Sequence, residues 1–174
     1  YMLDATAANA NVKAVALVAP WLHDKSMATA IYGGEESVSN LLQASQQASQ
    51  SAEPVYIEAA SLTNENALMY QAPYYTETDR GLIAEYDNQF NVASWDGWLN
   101  YNAHLSALIQ NKPVLMVASE DMALPAGAHQ YLELAGDNVT ATWFEGVSQF
   151  DFYDQPQAVS NAVEAITKHF AANL

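Results

Sequence analysis

The segment Lys13-Ala-Val-Ala-Leu-Val-Ala19 constrains this chain most, because its apolar residues follow one another without alternation. A strand with one wet face alternates apolar and polar side chains, whereas a strand apolar at successive positions has to be covered on both faces. Two further runs predict buried strands, Pro113-Val-Leu-Met-Val-Ala118 and Asn138-Val-Thr-Ala-Thr-Trp-Phe144, and each is followed by a loop and a helical pattern. The expectation is an α/β fold of parallel strands with covering helices. Pro20 closes the first strand, and Trp21-Leu-His-Asp24 forms the loop at its carboxyl end, where open α/β sheets place their ligands.

The helical patterns fit around those strands. Residues Tyr1 to Asn9 read as the end of a helix, followed by a turn at Asn9-Ala-Asn11. A helix from Glu35 to Gln50 carries Val38, Leu41, Leu42, Ser45 and Ala48 on one side. Gly33-Gly34 before it is a turn; neither a Lys-Ser/Thr pair nor a G-x-G-x-x-G accompanies it, as a phosphate loop requires. In the last helix Pro156 suits the first turn, and Val159, Val163, Ile166 and Phe170 share a face that should cover the sheet. Between Ser51 and Gln110 the strand–helix rhythm is lost, and Tyr, Trp, Asn and Asp accumulate in short helical or irregular stretches. Residues 51–110 therefore read as an insertion lying over the sheet like a cap. Tyr74, Tyr75, Tyr86, Trp95 and Trp98 either line a substrate cleft there or make the insertion's own core.

Composition narrows the function classes. With 174 residues, 51% of them apolar, the chain can bury a core and forms one domain or part of one. Twenty acidic residues against five basic ones give a formal charge of −15, which repels nucleic-acid phosphates and anionic membrane surfaces. The acids are dispersed, as on a solvated surface. With no cysteine there is no disulfide, thiolate metal site or thiol nucleophile in this segment. No apolar run approaches the roughly 20 residues that cross a bilayer, so a soluble protein is expected; the residues leave its compartment undetermined, with the cytoplasm favoured as the default. His23-Asp24 is an isolated pair and no H-E-x-x-H occurs, so neither a metal nor another cofactor is expected.

Read in order, Val15-Ala-Leu-Val-Ala-Pro-Trp-Leu-His-Asp24, Ser94-Trp-Asp-Gly-Trp-Leu99, Pro113-Val-Leu-Met-Val-Ala-Ser-Glu-Asp121 with Pro125, and Gly146-Val-Ser-Gln-Phe-Asp-Phe-Tyr-Asp154 form a series. The series resembles the second half of the dienelactone-hydrolase-like branch of the α/β-hydrolases, and the likeness runs from Tyr1 to Leu174. It implies that a strand, a sharp turn carrying the nucleophile in a G-x-S-x-G-type elbow, and a helix precede this segment. Tyr1, which has no initiator Met before it, would sit just after that elbow, at an end made by cleavage or chosen by design. Residues 1–174 would then be a partial domain whose first strand lacks neighbours and leaves backbone groups unpaired. The partners implied are the N-terminal half of the same protein as a companion chain, or a second copy in a homodimer, together with a small-molecule substrate.

The resemblance also assigns residues. Its pattern G-x-x-D-x-x-x-P matches Ala118-Ser-Glu-Asp121-Met-Ala-Leu-Pro125, with Ala in place of Gly, so Asp121 is the matching acid. That acid accepts a hydrogen bond from a histidine and holds the tautomer that deprotonates the nucleophile; local sequence alone equally allows Asp121 as a helix cap. The family histidine lies in a G-x-x-H-x-D-x-Y-D-like turn, where this chain has Gln149. A glutamine donates and accepts hydrogen bonds but takes up no proton near neutral pH, so it cannot be the general base. Asp151, Tyr153 and Asp154 still match and read as turn and cap structure.

Of the four histidines, His129 and His169 read as surface residues, and His104 reaches a cleft only if the chain folds over it. His23 is the substitute base to consider, because it follows the first buried strand at the end where the site should be; a structural histidine bonded to backbone is the alternative. Trp21, on the same loop, joins Tyr74, Tyr75, Trp95 and Trp98 as a candidate substrate-lining residue. Two functions follow. One is a serine-type hydrolase of carboxylic esters or thioesters whose nucleophile lies upstream. The other is a catalytically altered or inactive hydrolase-like fold that binds a small molecule under the aromatic insertion.

Overall fold

The computed structural model describes all residues from Tyr1 to Leu174. In chain order its elements are helix α1 (Met2–Ala7), strand β1 (Val15–Val18), helices α2 (Lys25–Ile31) and α3 (Gly34–Ser49), and the short strands β2 (Tyr56–Glu58), β3 (Ala60–Ser61), β4 (Met69–Tyr70) and β5 (Gln89–Asn91). Helix α4 (Trp95–Asn100), strand β6 (Val114–Ser119), helix α5 (Pro125–Leu134), strand β7 (Val139–Phe144), and helices α6 (Asp151–Asp154) and α7 (Pro156–Asn173) complete it. They divide into two units, Tyr1–Met27 with Asn102–Leu174, and Ala28–Tyr101.

In the first unit the three apolar runs form one sheet in the order β1-β6-β7, with both pairs parallel. The register sets Val15 opposite Val114 and Val114 opposite Val139. All six residues of the central strand β6 are buried, which is why its sequence is apolar without alternation. Each large aliphatic side chain buried there contributes about 1.5–3 kcal/mol. Helix α5 packs on β6, and α7 packs on β6 and β1. The seam of α7 differs from the predicted stripe: Ala158 and Ala162 are buried, while Val163 is 54% exposed. Two alanines on the seam allow a closer approach to the sheet than a valine row, and the larger residues flank it.

β1 and β7 are the edges of this sheet, and the outer side of β1 has no strand beside it. Immediately after β1, Ala19 has φ 43, a left-handed conformation that costs an L-residue about 1–2 kcal/mol. Its N–H still reaches Val117 O at 2.8 Å, so the strand stays paired up to the point where the chain turns away into Pro20.

In the second unit α3 follows the Gly33-Gly34 turn, where both glycines have φ 89, a conformation that side chains resist. Helix α3 buries Val38 and Ala48 in one core with Val92, Trp95 and Leu99. Ser45, fully buried, donates to Ala93 O at 2.8 Å and accepts from Asp96 N–H at 3.1 Å, tying α3 to the start of α4. β2 and β5 pair antiparallel, β3 and β4 parallel. This unit spans Ala28–Tyr101, where the sequence suggested 51–110, because the apolar face of α3 is buried against Trp95 and Leu99. Residues 102–110 belong instead with the sheet unit.

Candidate functional site

Parallel strands deliver their carboxyl ends to one edge of the sheet, so the loops after β1, β6 and β7 are neighbours there. One side chain joins all three. Gln149 Nε2 donates to Ala19 O at 3.1 Å and to Tyr153 Oη at 2.7 Å, and its Oε1 accepts from Ala123 N–H at 3.1 Å. Ala19 O can only accept and Ala123 N–H can only donate, so the amide has one orientation, and a carboxylate in its place would lack the donor. The turn carrying Gln149 is closed locally: Asp151 accepts from Ser148 N–H at 2.7 Å, and Ser148 Oγ accepts from Asp151 N–H at 3.3 Å. Asp151 and Tyr153 thus hold this turn and its amide in place.

Asp121 lies on the loop after β6 with an exposed side chain. Its N–H donates to Ser119 Oγ at 3.2 Å, but its carboxylate pairs with no histidine. It does not cap α5 either, since the N-cap of that helix is Leu124, without a side-chain cap bond, and Pro125 is its first residue. His23 is 2% exposed. Its Nδ1 accepts from the Trp21 indole N–H at 2.9 Å, which leaves Nε2 to carry the proton of the neutral ring, and its carbonyl accepts from Ala103 N–H at 2.9 Å. Trp21 stands edge-on to that ring and is 37% exposed, so it is the surface aromatic of the loop.

The other aromatic candidates lie in the second unit. Trp95 is 4% exposed, inside that unit's core, with Tyr32 edge-on at 5.0 Å and Phe90 at 4.9 Å. Trp98 donates to Tyr32 Oη at 2.9 Å; burial pushes the Tyr32 phenol up, and this bond opposes the shift. Tyr74 and Tyr75, both half-buried, meet edge-on at 5.1 Å, with Arg80 over the Tyr74 ring at 5.9 Å. Gly81 lies under that ring, where a Cβ would come within 2.3 Å of it.

Sequence reasoning missed a polar cluster in the sheet unit, in which His104 and Ser106 are buried and Asp24 is partly exposed. Asp24 accepts from Met27 N–H at 2.9 Å, capping α2, and from Gln130 Nε2 at 3.1 Å. Burial raises its carboxyl pKa, but these bonds, the charge of His104 and the Ser26 N–H outweigh that and hold it below the usual carboxylate range. His104, 3% exposed, has Nε2 3.1 Å from Gly127 O and Nδ1 3.7 Å from Asp24 Oδ2. Ser106 Oγ lies 2.8 Å from Ala103 O and 3.1 Å from Tyr131 Oη, and burial pushes that phenol up. The local sign was Gly127, an interior glycine in a helical pattern.

His129 is a surface residue, bonded to Glu120 at 2.8 Å and stacked on Trp143 at 4.2 Å. An open groove of about 700 Å³ runs along β7 and α7, lined by Thr140, Thr142, Lys168 and His169; none of the candidates above borders it. No cluster of three or more His, Asp or Glu side chains could hold a metal ion, and no helix is long and apolar enough to cross a membrane.

The sequence matches no protein-family model and no curated protein. Solved structures do match. A hypothetical protein of Pseudomonas aeruginosa, PA2218, superposes with a TM-score of 0.76 at 19% identity, over 99% of this chain and 57% of that one. The alpha/beta hydrolase GrgF of Penicillium sp. sh18 gives 0.65 at 16% identity, over 97% and 60%, and the monoacylglycerol lipase of Paleococcus ferrophilus gives 0.62 at 13% identity, over 98% and 63%. The chain spans about three fifths of the length of these structures. Its fold is that of the α/β-hydrolases.

Proposed function

We propose that this chain is the carboxyl-terminal part of an α/β-hydrolase-fold protein of the dienelactone-hydrolase-like branch, altered so that it binds a small molecule at the carboxyl end of its sheet without triad hydrolysis. The observation that carries this reading is the state of Gln149. Its amide is spent on three loops, and it takes up no proton. The other parts of a triad are no better supplied: Asp121 pairs with no histidine, and His23 is buried with its Nδ1 committed to Trp21. Trp21 and the Asp121 carboxylate are the exposed apolar and charged groups that the loops after β1 and β6 offer a ligand. Ester or thioester hydrolysis by an upstream serine-type nucleophile is the competing reading, and it needs a base that neither Gln149 nor His23 supplies as placed.

The full-length polypeptide should be assayed on short acyl esters and thioesters and with a serine-directed fluorophosphonate. The wild type is expected to show no turnover. Turnover that Asp121→Asn abolishes would overturn the binding reading. A gain of turnover in Gln149→His would show that the fold descends from a working hydrolase and lost its base at this position.

We further propose that the outer edge of β1 is completed by a strand that residues 1–174 do not contain, supplied by the N-terminal half of the same protein or by a second copy. The support is the absence of a neighbour there and the half-buried state of Ala16, Leu17 and Val18. Each buried backbone group left unsatisfied costs about 1–3 kcal/mol, against a net domain stability of about 5–15 kcal/mol. Native mass spectrometry of residues 1–174 prepared on their own is expected to find a species heavier than the 19.0 kDa segment. A monodisperse monomer of that mass that unfolds cooperatively would contradict the proposal.

A further inference from the structure

The chain leaves the sheet unit after Met27 and re-enters it at Asn102, and both crossings are fastened at one place. Ala103 N–H donates to His23 O, joining the backbones of the outgoing and returning segments. Beside that bond, the side chains of Asp24 on the outgoing segment and His104 on the returning one face each other across 3.7 Å. Helix α5 closes the cluster, with Gly127 O on His104 and Gln130 on Asp24.

The surroundings of the His104 ring favour one protonation state. Gly127 O can only accept, so Nε2 carries a hydrogen. Nδ1 is buried without a hydrogen-bond partner and faces the Asp24 carboxylate, which also only accepts. A neutral ring therefore aims a lone pair at a carboxylate, which is unfavourable at a ring nitrogen shielded from water. A doubly protonated ring presents N–H groups to both neighbours. We propose that Asp24 and His104 form a protonation-gated latch at the root of the Ala28–Tyr101 excursion, closed when His104 is an imidazolium and loosened when the ring is neutral.

Other titratable groups near the ring do not replace Asp24 in this role. Tyr131 on α5 stands with its ring centre 6.4 Å away, and Asp4 on α1 acts on Tyr131. His23 precedes Asp24, with its ring on Trp21, and the 103–108 segment carries no titratable side chain besides His104. Because the Asp24 carboxyl titrates below the usual range, it stays charged through the window in which a histidine changes state. The direction follows: the latch holds on the acidic side of that window and releases as pH rises.

Hydrogen exchange on the whole chain, corrected for intrinsic rates, tests this. Between about pH 5.5 and about pH 8.5, protection of the Ala103 and Met27 amides is expected to fall severalfold, while protection in β6 is unchanged. Asp24→Asn should remove the dependence, because an amide opposite Nδ1 can donate to a neutral ring; His104→Gln should remove it as well. If the wild-type amides are equally protected at both pH values, or if the dependence persists in both variants, there is no latch.

Discussion

Gly127→Ala is expected to destabilise the protein by about 3 kcal/mol, the upper range for forcing an atom into a filled interior. A Cβ at this position would lie 1.8 Å from Leu22 O and 2.9 Å from the carbonyl carbon. The obstacle is backbone, which cannot rotate away as the far end of a side chain can. Relief requires α5 to move off the loop after β1, and that movement also pulls Gly127 O from His104 and Gln130 from Asp24. Gly97 on α4 is the control, with nothing within 4 Å of its Cβ position. Gly97→Ala should stabilise by about 0.5–1 kcal/mol through helix propensity alone. Urea denaturation of the two variants measures both effects. A Gly127→Ala chain within about 0.5 kcal/mol of wild type would mean that α5 and the loop are not in contact in solution.

Strand β6 is legible in the sequence because burial on both faces writes an apolar run, and it lies within one residue of where that run places it; the edge strands β1 and β7 are only half-buried along most of their length, and β7 carries Thr140 and Thr142 between its apolar residues. Helix α3 is legible for the complementary reason, a regular apolar side opposite a Gln/Ser-rich one. What covers that side is not, because Val92, Trp95 and Leu99 are about fifty residues away, beyond the reach of any local pattern. Strands β2 to β5, two or three residues each, are too brief for any periodicity to register. At the site, Gln149 stands out because one residue type has replaced another inside a recognisable turn. Its partners do not, since Ala19 O and Ala123 N–H are backbone groups that no side-chain pattern announces. The Asp24–His104 pair is hidden in the same way: the two residues are eighty positions apart, and only the interior glycine at 127 hints that another segment comes close.

Trp95→Ala is expected to cost about 3–5 kcal/mol, the range for truncating a buried aromatic. The side chain is 4% exposed at the first position of α4, and it touches Tyr32 and Phe90 in geometries that add about 0.5–1.5 kcal/mol each beyond area burial. Removing it opens a void under α3, in the same core as Val38 and Leu99. That core holds few other large buried side chains, so the Ala28–Tyr101 unit should lose its near-ultraviolet signal and unfold at lower denaturant. Tyr75→Ala is the comparison, since its ring is half-buried and meets Tyr74 and Tyr86 near the surface; it should cost about 1 kcal/mol. The pair also separates packing from ligand contact for these aromatics. If Trp95→Ala leaves the unfolding midpoint in place and instead weakens binding of a small molecule, Trp95 faces a ligand and the core described for this unit is wrong.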